Sequence, residues 1–128
     1  MIARNAANEV ESNDIRRIET LPRLSRAVVH NGIVYLSGQL ADDPKVSVEE
    51  QTRNILQKLD GYLEQAGSDK TRVLSAVVWL KDIADAPRMN SVWESWMPAG
   101  FSPSRSCVQS VPGRPEFSVE ITLTAAVR

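Results

Sequence analysis

The pattern of apolar and polar positions begins with a β-hairpin. Two runs rich in β-branched residues, 25–30 and 33–37, flank the pair Asn31-Gly32. An Asn-Gly pair between two such runs is a strong hairpin signal, because both residues tolerate positive φ. A shorter run, 15–19, precedes the hairpin and is predicted as another strand.

Two later stretches repeat apolar residues every three or four positions, which is the period of an amphipathic helix. The first begins at the capping box formed by Ser47 and Glu50 and ends at Gly67, the residue best able to adopt the left-handed conformation. The second is predicted to have Asp85 as its N-cap, Pro87 in its first turn and its end near residues 98–100. Its apolar stripe consists of Met89, Val92, Trp93, Trp96 and Met97. The two tryptophans are interpreted as core or subunit-contact residues rather than ligand-stacking residues.

The remaining apolar runs predict three more strands, at residues 73–80, 104–110 and 116–127. The order is therefore β-β-β-α-β-α-β-β, and it predicts an α+β fold: a mixed six-stranded sheet with two helices on one face. Residues 15–128 form one predicted domain, preceded by a flexible arm, residues 1–14. Adjacent apolar residues such as Val77 and Val78 indicate that the second sheet face is also covered, and self-association is the expected cover.

Composition narrows the classes of function. The 128 residues are 42% hydrophobic and 24% charged with a net charge of −1, which is typical of a globular domain and does not favour nucleic-acid binding. One histidine and one cysteine exclude a structural zinc site and an intrachain disulfide within one subunit. No phosphate loop or set of metal-binding carboxylates is found. With no apolar segment typical of a signal peptide or membrane span, we expect a soluble, cytoplasmic protein.

Arg105 is the first candidate for chemistry. An arginine within an apparently buried strand needs an anionic partner, because an unpaired buried charge is destabilising. That partner is either a carboxylate of the same chain, such as Glu120, or the carboxylate of a substrate. Glu120 lies on the polar side of the final strand, where it is either solvated or positioned to orient and deprotonate a water molecule.

Three further positions have two interpretations each. Cys107 shares a strand face with Arg105 and is either a small buried residue or a thiol whose pKa the arginine lowers. Ser37 and Gly38 close the third strand, either as an ordinary strand end or as a point of close approach to a ligand. His30 is expected to be an exposed hairpin residue rather than a catalytic one.

Taken in order, these residues resemble the RidA/YjgF family of reactive-intermediate deaminases, also called the endoribonuclease L-PSP family. The resemblance extends from about residue 15 to residue 127. Its most specific pieces are Ser37-Gly38-Gln39, Gln51-Thr52, Met89-Asn90-Ser91-Val92-Trp93, Pro103-Ser104-Arg105-Ser106-Cys107-Val108 and Val119-Glu120-Ile121.

The resemblance implies a chorismate-mutase-like two-layer sandwich assembled as a homotrimer, with its sites between subunits. It also implies hydrolytic deamination of 2-imino or enamine acids, such as 2-iminopropionate, to 2-keto acids and ammonia, without a metal or other cofactor. Arg105 would hold the substrate carboxylate and Glu120 would position water. Ser37, Gly38, Asn90 and Cys107 match positions that line the cleft.

One position departs from the family pattern. Leu24 stands where many family members have a tyrosine, so substrate preference and rate become open questions. Two other functions remain as alternatives: an endoribonuclease or translation inhibitor, as the older family name suggests, and a non-catalytic trimer that binds small carboxylates.

Overall fold

The computed structural model describes residues 14–128 and shows six strands and two longer helices. Their bounds are β1 Arg16–Thr20, β2 Ser25–His30, β3 Ile33–Leu36, α1 Val48–Gln65, β4 Val73–Leu80, α2 Ala86–Trp96, β5 Ser104–Gln109 and β6 Val119–Ala126. The predicted α+β class and the order β-β-β-α-β-α-β-β are confirmed. Of the predicted arm, residues 1–14, only Asp14 is among the described residues.

All six strands form one mixed sheet in the order β1-β2-β3-β6-β4-β5. Every neighbouring pair is antiparallel except β4 and β5, which are parallel and are connected through α2. A parallel pair requires such a crossover, because the chain must return to the same end of the sheet. The last strand of the chain, β6, therefore lies in the middle of the sheet, and β5 lies at its edge.

The two faces of the sheet differ in burial. Alternate residues of β6 (Val119, Ile121, Leu123 and Ala125) are fully buried and belong to one core cluster with apolar residues of both helices. The opposite face carries several side chains that are half-buried or exposed in a single chain: Val28, Tyr35, Val77, Trp79 and Val108. Each large core side chain contributes about 1.5–3 kcal/mol by leaving water, so the sheet is anchored from its helical face.

The turn and cap signals in the sequence are confirmed at three places. Asn31 and Gly32 have φ values of 50° and 78°, as the hairpin turn requires. The hydroxyl of Ser47 accepts a hydrogen bond from the N–H of Glu50 at 3.1 Å. Gly67 has φ 82°, and the N–H of Ser68 donates to the carbonyl of Leu63 at 2.8 Å, which completes a C-terminal cap.

Three local details differ from the prediction. The carboxylate of Glu50 bonds to Arg53, so only the serine half of the capping box forms. Asp85 precedes α2, but its side chain makes no capping hydrogen bond, because a 3-10 turn, Ile83–Asp85, leads into the helix. The final strand begins at Val119 instead of residue 116, because the N–H of Phe117 turns back to Arg114 at 3.1 Å.

Within residues 14–128, the helices lack the combination of length and apolar character that a membrane-crossing segment needs.

Candidate functional site

Arg105 lies on the edge strand β5 and points toward the helices. Its register partner on β4 is Ala76, which is buried on the helical face. The Nη2 of Arg105 donates to Oδ1 of Asn90 at 2.8 Å, and Nη1 lies 3.6 Å from the sulfur of Met89. The guanidinium carbon lies 5.0 Å from the centre of the Trp93 ring. Among residues 14–128, these two polar contacts and the aromatic contact all come from one helix, α2.

The charge of Arg105 has no acidic partner within the described part of the chain. No carboxylate of residues 14–128 lies within 4.0 Å of its guanidinium. The group is half-buried, and its three neighbours are an amide, a thioether and an aromatic ring. The alternative of an ion pair with Glu120 in the same chain is not observed. A partly desolvated guanidinium held only by neutral groups favours binding of an external anion.

Glu120 lies in the central strand β6 and contacts the loop after β3. A Cβ atom added at Gly38 would overlap Oε2 of Glu120 and lie 3.1 Å from its Cδ. This contact follows from the pairing of Gln39 with Ile121, which brings the loop directly against β6. The structure therefore gives a physical reason for glycine at position 38: the Glu120 carboxylate occupies the space that any larger side chain would need.

The loop that contains Gly38 is held in place on both sides. The N–H of Ser37 donates to the carbonyl of Arg26 at 3.0 Å, and that of Gln39 donates to Ile121 at 2.8 Å. The buried side chain of Gln39 also donates to the carbonyl and hydroxyl oxygens of Ser37, at 3.2 and 3.1 Å. Between these anchored neighbours, the N–H of Gly38 has no acceptor among residues 14–128. It is a candidate donor to a ligand.

Gln51 supports the same region, a role that its position in the sequence pattern does not predict. It is 1% exposed, although it lies in α1 among apolar residues. Its Oε1 accepts from the N–H of Ser118 at 3.0 Å, and its Nε2 donates to the carbonyls of Pro44 and Val46 at 3.2 and 3.0 Å. Gln51 thus fixes the backbone two residues before Glu120. In the sequence, the feature that could indicate this role is a glutamine on the buried side of an amphipathic helix.

Arg105 and Glu120 lie on opposite faces of the sheet. Glu120 pairs with Trp79 of β4, on the face away from the helices, whereas Arg105 pairs with Ala76 on the helical face. Cys107 pairs with the buried Val78 and shares the face of Arg105, as its spacing predicts. The candidate residues of one chain therefore fall into two groups, which we call half-sites: the first contains Arg105, Cys107 and Asn90, and the second contains Glu120, Gly38 and Ser37.

Leu24 directly precedes β2, and His30 is its last residue. Leu24 is 41% exposed and lines an open apolar depression of about 310 Å³ at the β1–β2 turn, together with Leu21, Pro22 and Arg23. His30 is half-buried, not exposed as expected, and its Nδ1 has no hydrogen-bond partner among the described residues. It lies at the hairpin turn, the end of β2 and β3 remote from Gly38. Residues 14–128 contain no cluster of three His, Cys, Asp or Glu side chains suited to a metal ion.

Comparisons with known proteins give sequence and structure matches over most of the chain. The sequence model of the endoribonuclease L-PSP family matches residues 14–127. The RutC family protein YoaB of Escherichia coli K12 is 38% identical over 113 residues, covering 88% of this chain and 98% of that protein. The crystal structure of NMB1025, a YjgF family member from Neisseria meningitidis, is 44% identical with a TM-score of 0.88, covering 91% of this chain and 98% of that one. The chloroplastic Reactive Intermediate Deaminase A of Arabidopsis thaliana is 32% identical over 108 residues, covering 78% of this chain and 57% of that protein.

Proposed function

This chain belongs to the endoribonuclease L-PSP family, the RidA/YjgF family, and from that premise we propose that it deaminates reactive 2-imino and enamine acids by hydrolysis. The observation that carries the proposal is the Arg105 guanidinium, which is half-buried and has no acidic partner among residues 14–128. Such a group suits the planar carboxylate of a small acid, which two parallel N–H groups of an arginine bind well. A relative named as a reactive-intermediate deaminase supports the same chemistry.

The proposal places each complete site between two subunits of a homotrimer. Arg105 and Glu120 face opposite sides of one sheet, so a substrate small enough to touch both needs them from different copies. The apolar residues on the face away from the helices, such as Tyr35, Trp79 and Val108, support self-association, because a single chain leaves them partly in water.

Hydrolysis of an imine requires the substrate and a water molecule to be positioned, and it does not require a strong acid or base. In the proposed site, Arg105 binds the substrate carboxylate and the N–H of Gly38 is available to a substrate oxygen. The Glu120 carboxylate accepts a hydrogen bond from a water molecule and aims it at the imine carbon. Water adds across the C=N bond: its oxygen bonds to the carbon, and one of its protons passes by way of the Glu120 carboxylate to the imine nitrogen. In the resulting carbinolamine the hydroxyl proton moves to the amino group as the C–N bond breaks, so ammonia leaves and a 2-keto acid remains.

Leu24 gives the proposed cleft an apolar wall in place of a hydroxyl. Because its side chain is well exposed at the β1–β2 turn, it is available to contact a substrate or a neighbouring copy. We propose that the cleft favours 2-imino acids with apolar side chains, since an apolar surface offers no hydrogen bond to a polar one.

The test generates 2-imino acids with an amino-acid oxidase and follows the formation of 2-keto acid. We expect the wild-type protein to accelerate this step and Arg105→Ala to lose at least about 100-fold in kcat/KM. The variant Asn90→Asp places a carboxylate beside the same guanidinium and should raise KM about tenfold by competing with the substrate. The matched control is Arg53→Ala, an exposed arginine of α1.

Two outcomes contradict the proposal. Wild-type protein that leaves the rate at its uncatalysed value rules out the activity, and an Arg105→Ala variant as fast as wild type rules out the assigned anchor. If keto acids raise the Tm through Arg105 without any turnover, the protein is a binding module instead of an enzyme.

A further inference from the structure

Another cavity adjoins the Gly38 side of the candidate site, between α1, the loop after β3 and the segment before β6. Its volume is about 370 Å³. Three cationic side chains (Arg26, Lys58 and Arg114) line it, and the only carboxylate in its wall is Asp42. Gly38 also borders this cavity, so it adjoins the loop that contacts Glu120.

Arg26 presents an uncommitted pair of donors here. Its side chain is 32% exposed, and its Nε donates to Oε2 of Glu19 at 3.2 Å. Neither Nη1 nor Nη2 has an acceptor among residues 14–128. The two-pronged end of the guanidinium, which binds carboxylate or phosphate oxygens in a bidentate manner, is therefore available.

The surroundings hold Arg26 in a fixed orientation. The hydroxyl of Tyr62 lies 3.2 Å from both oxygens of Glu19, so this carboxylate is fixed between the tyrosine and the arginine. Burial and the charge of Glu19 raise the pKa of Tyr62, which keeps its hydroxyl protonated as the donor. Glu19 itself has φ 51°, a left-handed conformation that glutamate rarely adopts and that costs about 1 kcal/mol. Strain of this kind persists where the surrounding structure requires the side chain in one place.

The other two cations of the lining each have a carboxylate partner, as Arg26 does. Nζ of Lys58 contacts Asp42 at 2.6 Å and donates to the carbonyl of Leu40 at 2.8 Å, which fixes it in the wall. Arg114 uses Nη2 on Glu116 at 2.8 Å, and that carboxylate is not part of the lining. Glu19 and Glu116 thus hold their arginines from outside the lining, and each of the three cations has one carboxylate partner. What the cavity offers an anion is therefore the unused Nη1 and Nη2 of Arg26 rather than a net positive charge.

We propose that this cavity binds the anionic group, carboxylate or phosphate, of a small molecule, with the free Nη1 and Nη2 of Arg26 as its principal donors. The site is separate from the Arg105 anchor, and its existence does not depend on the deaminase activity. A bound anion accepts hydrogen bonds from Nη1 and Nη2 of Arg26, because Glu19 accepts only from Nε.

The experiment titrates inorganic phosphate and succinate into the full-length Arg105→Ala variant at constant ionic strength, with binding measured by calorimetry. Removing Arg105 leaves the proposed cavity as the site under test and keeps the result independent of the proposed activity. We expect millimolar or tighter binding of at least one probe, weakened about tenfold or more by Arg26→Gln. Binding of phosphate alone identifies a phosphate-bearing ligand, and binding of succinate alone identifies an organic acid.

Two further variants keep the test decisive. Arg53→Gln removes an arginine of α1 that does not line the cavity and should leave the affinity unchanged. Lys58→Met replaces a cavity cation while keeping most of the side-chain bulk, and should weaken binding about threefold if Arg26→Gln fails to fold. The proposal is overturned if neither probe binds, or if folded Arg26→Gln or Lys58→Met binds as tightly as the parent protein.

Discussion

At the scale of single residues, the contact between Gly38 and Glu120 is the sharpest constraint in the candidate site. The sequence shows a glycine at a strand end and a glutamate on a polar strand face, but neither pattern predicts that the two meet. They meet because Gln39 bridges to Ile121 across the sheet, a pairing between positions 82 residues apart. A separation of 67 residues likewise hides the support that Gln51 gives to Ser118.

Replacing Gly38 with alanine tests whether the position of the Glu120 carboxylate matters. The new Cβ would overlap Oε2, and the flexible end of the glutamate is the group that moves. We expect kcat for imine hydrolysis to fall about 100-fold, since displacing a catalytic group by about 1 Å costs that much. Steady-state kinetics measure the change in kcat, and a thermal melt measures the change in Tm.

The control for this variant is Gly61→Ala in α1. A Cβ at Gly61 meets no atom within 4 Å, and alanine in a helix is about 0.5–1 kcal/mol more stable than glycine. Gly61→Ala should therefore raise the Tm and keep full activity. If Gly38→Ala is as active as Gly61→Ala, the contact between Gly38 and the Glu120 carboxylate does not matter for activity.

At the scale of elements, sequence patterns predict the turns and helix ends, but they do not predict contacts that depend on the crossover from β4 through α2 to β5. The Asn31-Gly32 turn, the Ser47 cap and the Gly67 terminus follow from rules that span a few residues, and all three are confirmed. The partners of Arg105 are not predictable in this way. They depend on how α2 packs over β5, and the sequence alone suggests an acidic partner where the structure has Asn90.

An ion pair between the starts of the two helices gives a pH-dependent contribution to stability. Arg88 of α2 donates to Glu49 of α1 at 2.8 Å and holds the pKa of that carboxyl below its ordinary value. A lowered pKa in the folded state stabilises the fold above the ordinary pKa of about 4.3, and the contribution is lost as the pH falls through the folded value. The Tm of wild type should therefore exceed that of Glu49→Gln by a few degrees at most at pH 7.

That difference in Tm should shrink as the pH falls below about 5 and vanish once Glu49 is protonated in both states. Thermal melts of both proteins over this pH range provide the measurement. Glu64→Gln serves as the comparison, because Glu64 lies on the same helix and has no ion pair among residues 14–128. A difference in Tm between wild type and Glu49→Gln that stays constant with pH would argue against the ion pair.

At the scale of the whole molecule, the two half-sites on opposite sheet faces make the proposed assembly testable through activity. If each site takes Arg105 from one subunit and Glu120 from its neighbour, mixed trimers of Arg105→Ala and Glu120→Gln chains contain some intact sites. Random mixing in equal amounts gives an intact pair at about one quarter of the interfaces, because each of the two required neighbours is present half the time.

We therefore expect co-refolded mixtures of the two inactive variants to recover about 25% of wild-type activity. The double variant, Arg105→Ala with Glu120→Gln, should recover none when mixed with either single variant. Light scattering on the same samples reports whether trimers form. A mixture that forms trimers but stays inactive would place the whole site within one chain, contrary to the division across the sheet.

The crossover that makes β5 parallel to β4 has a consequence for how such proteins diversify. Every group that holds the Arg105 guanidinium, and Arg105 itself, lies in the continuous stretch of residues 86–109, whereas Gly38 and Glu120 lie elsewhere in the chain. In the proposed site, the carboxylate anchor and the water-placing glutamate are thus encoded in separate parts of the gene. A segment exchanged with a relative over these residues would replace the guanidinium together with all of its supports, and it would leave the contact between Gly38 and Glu120 unchanged.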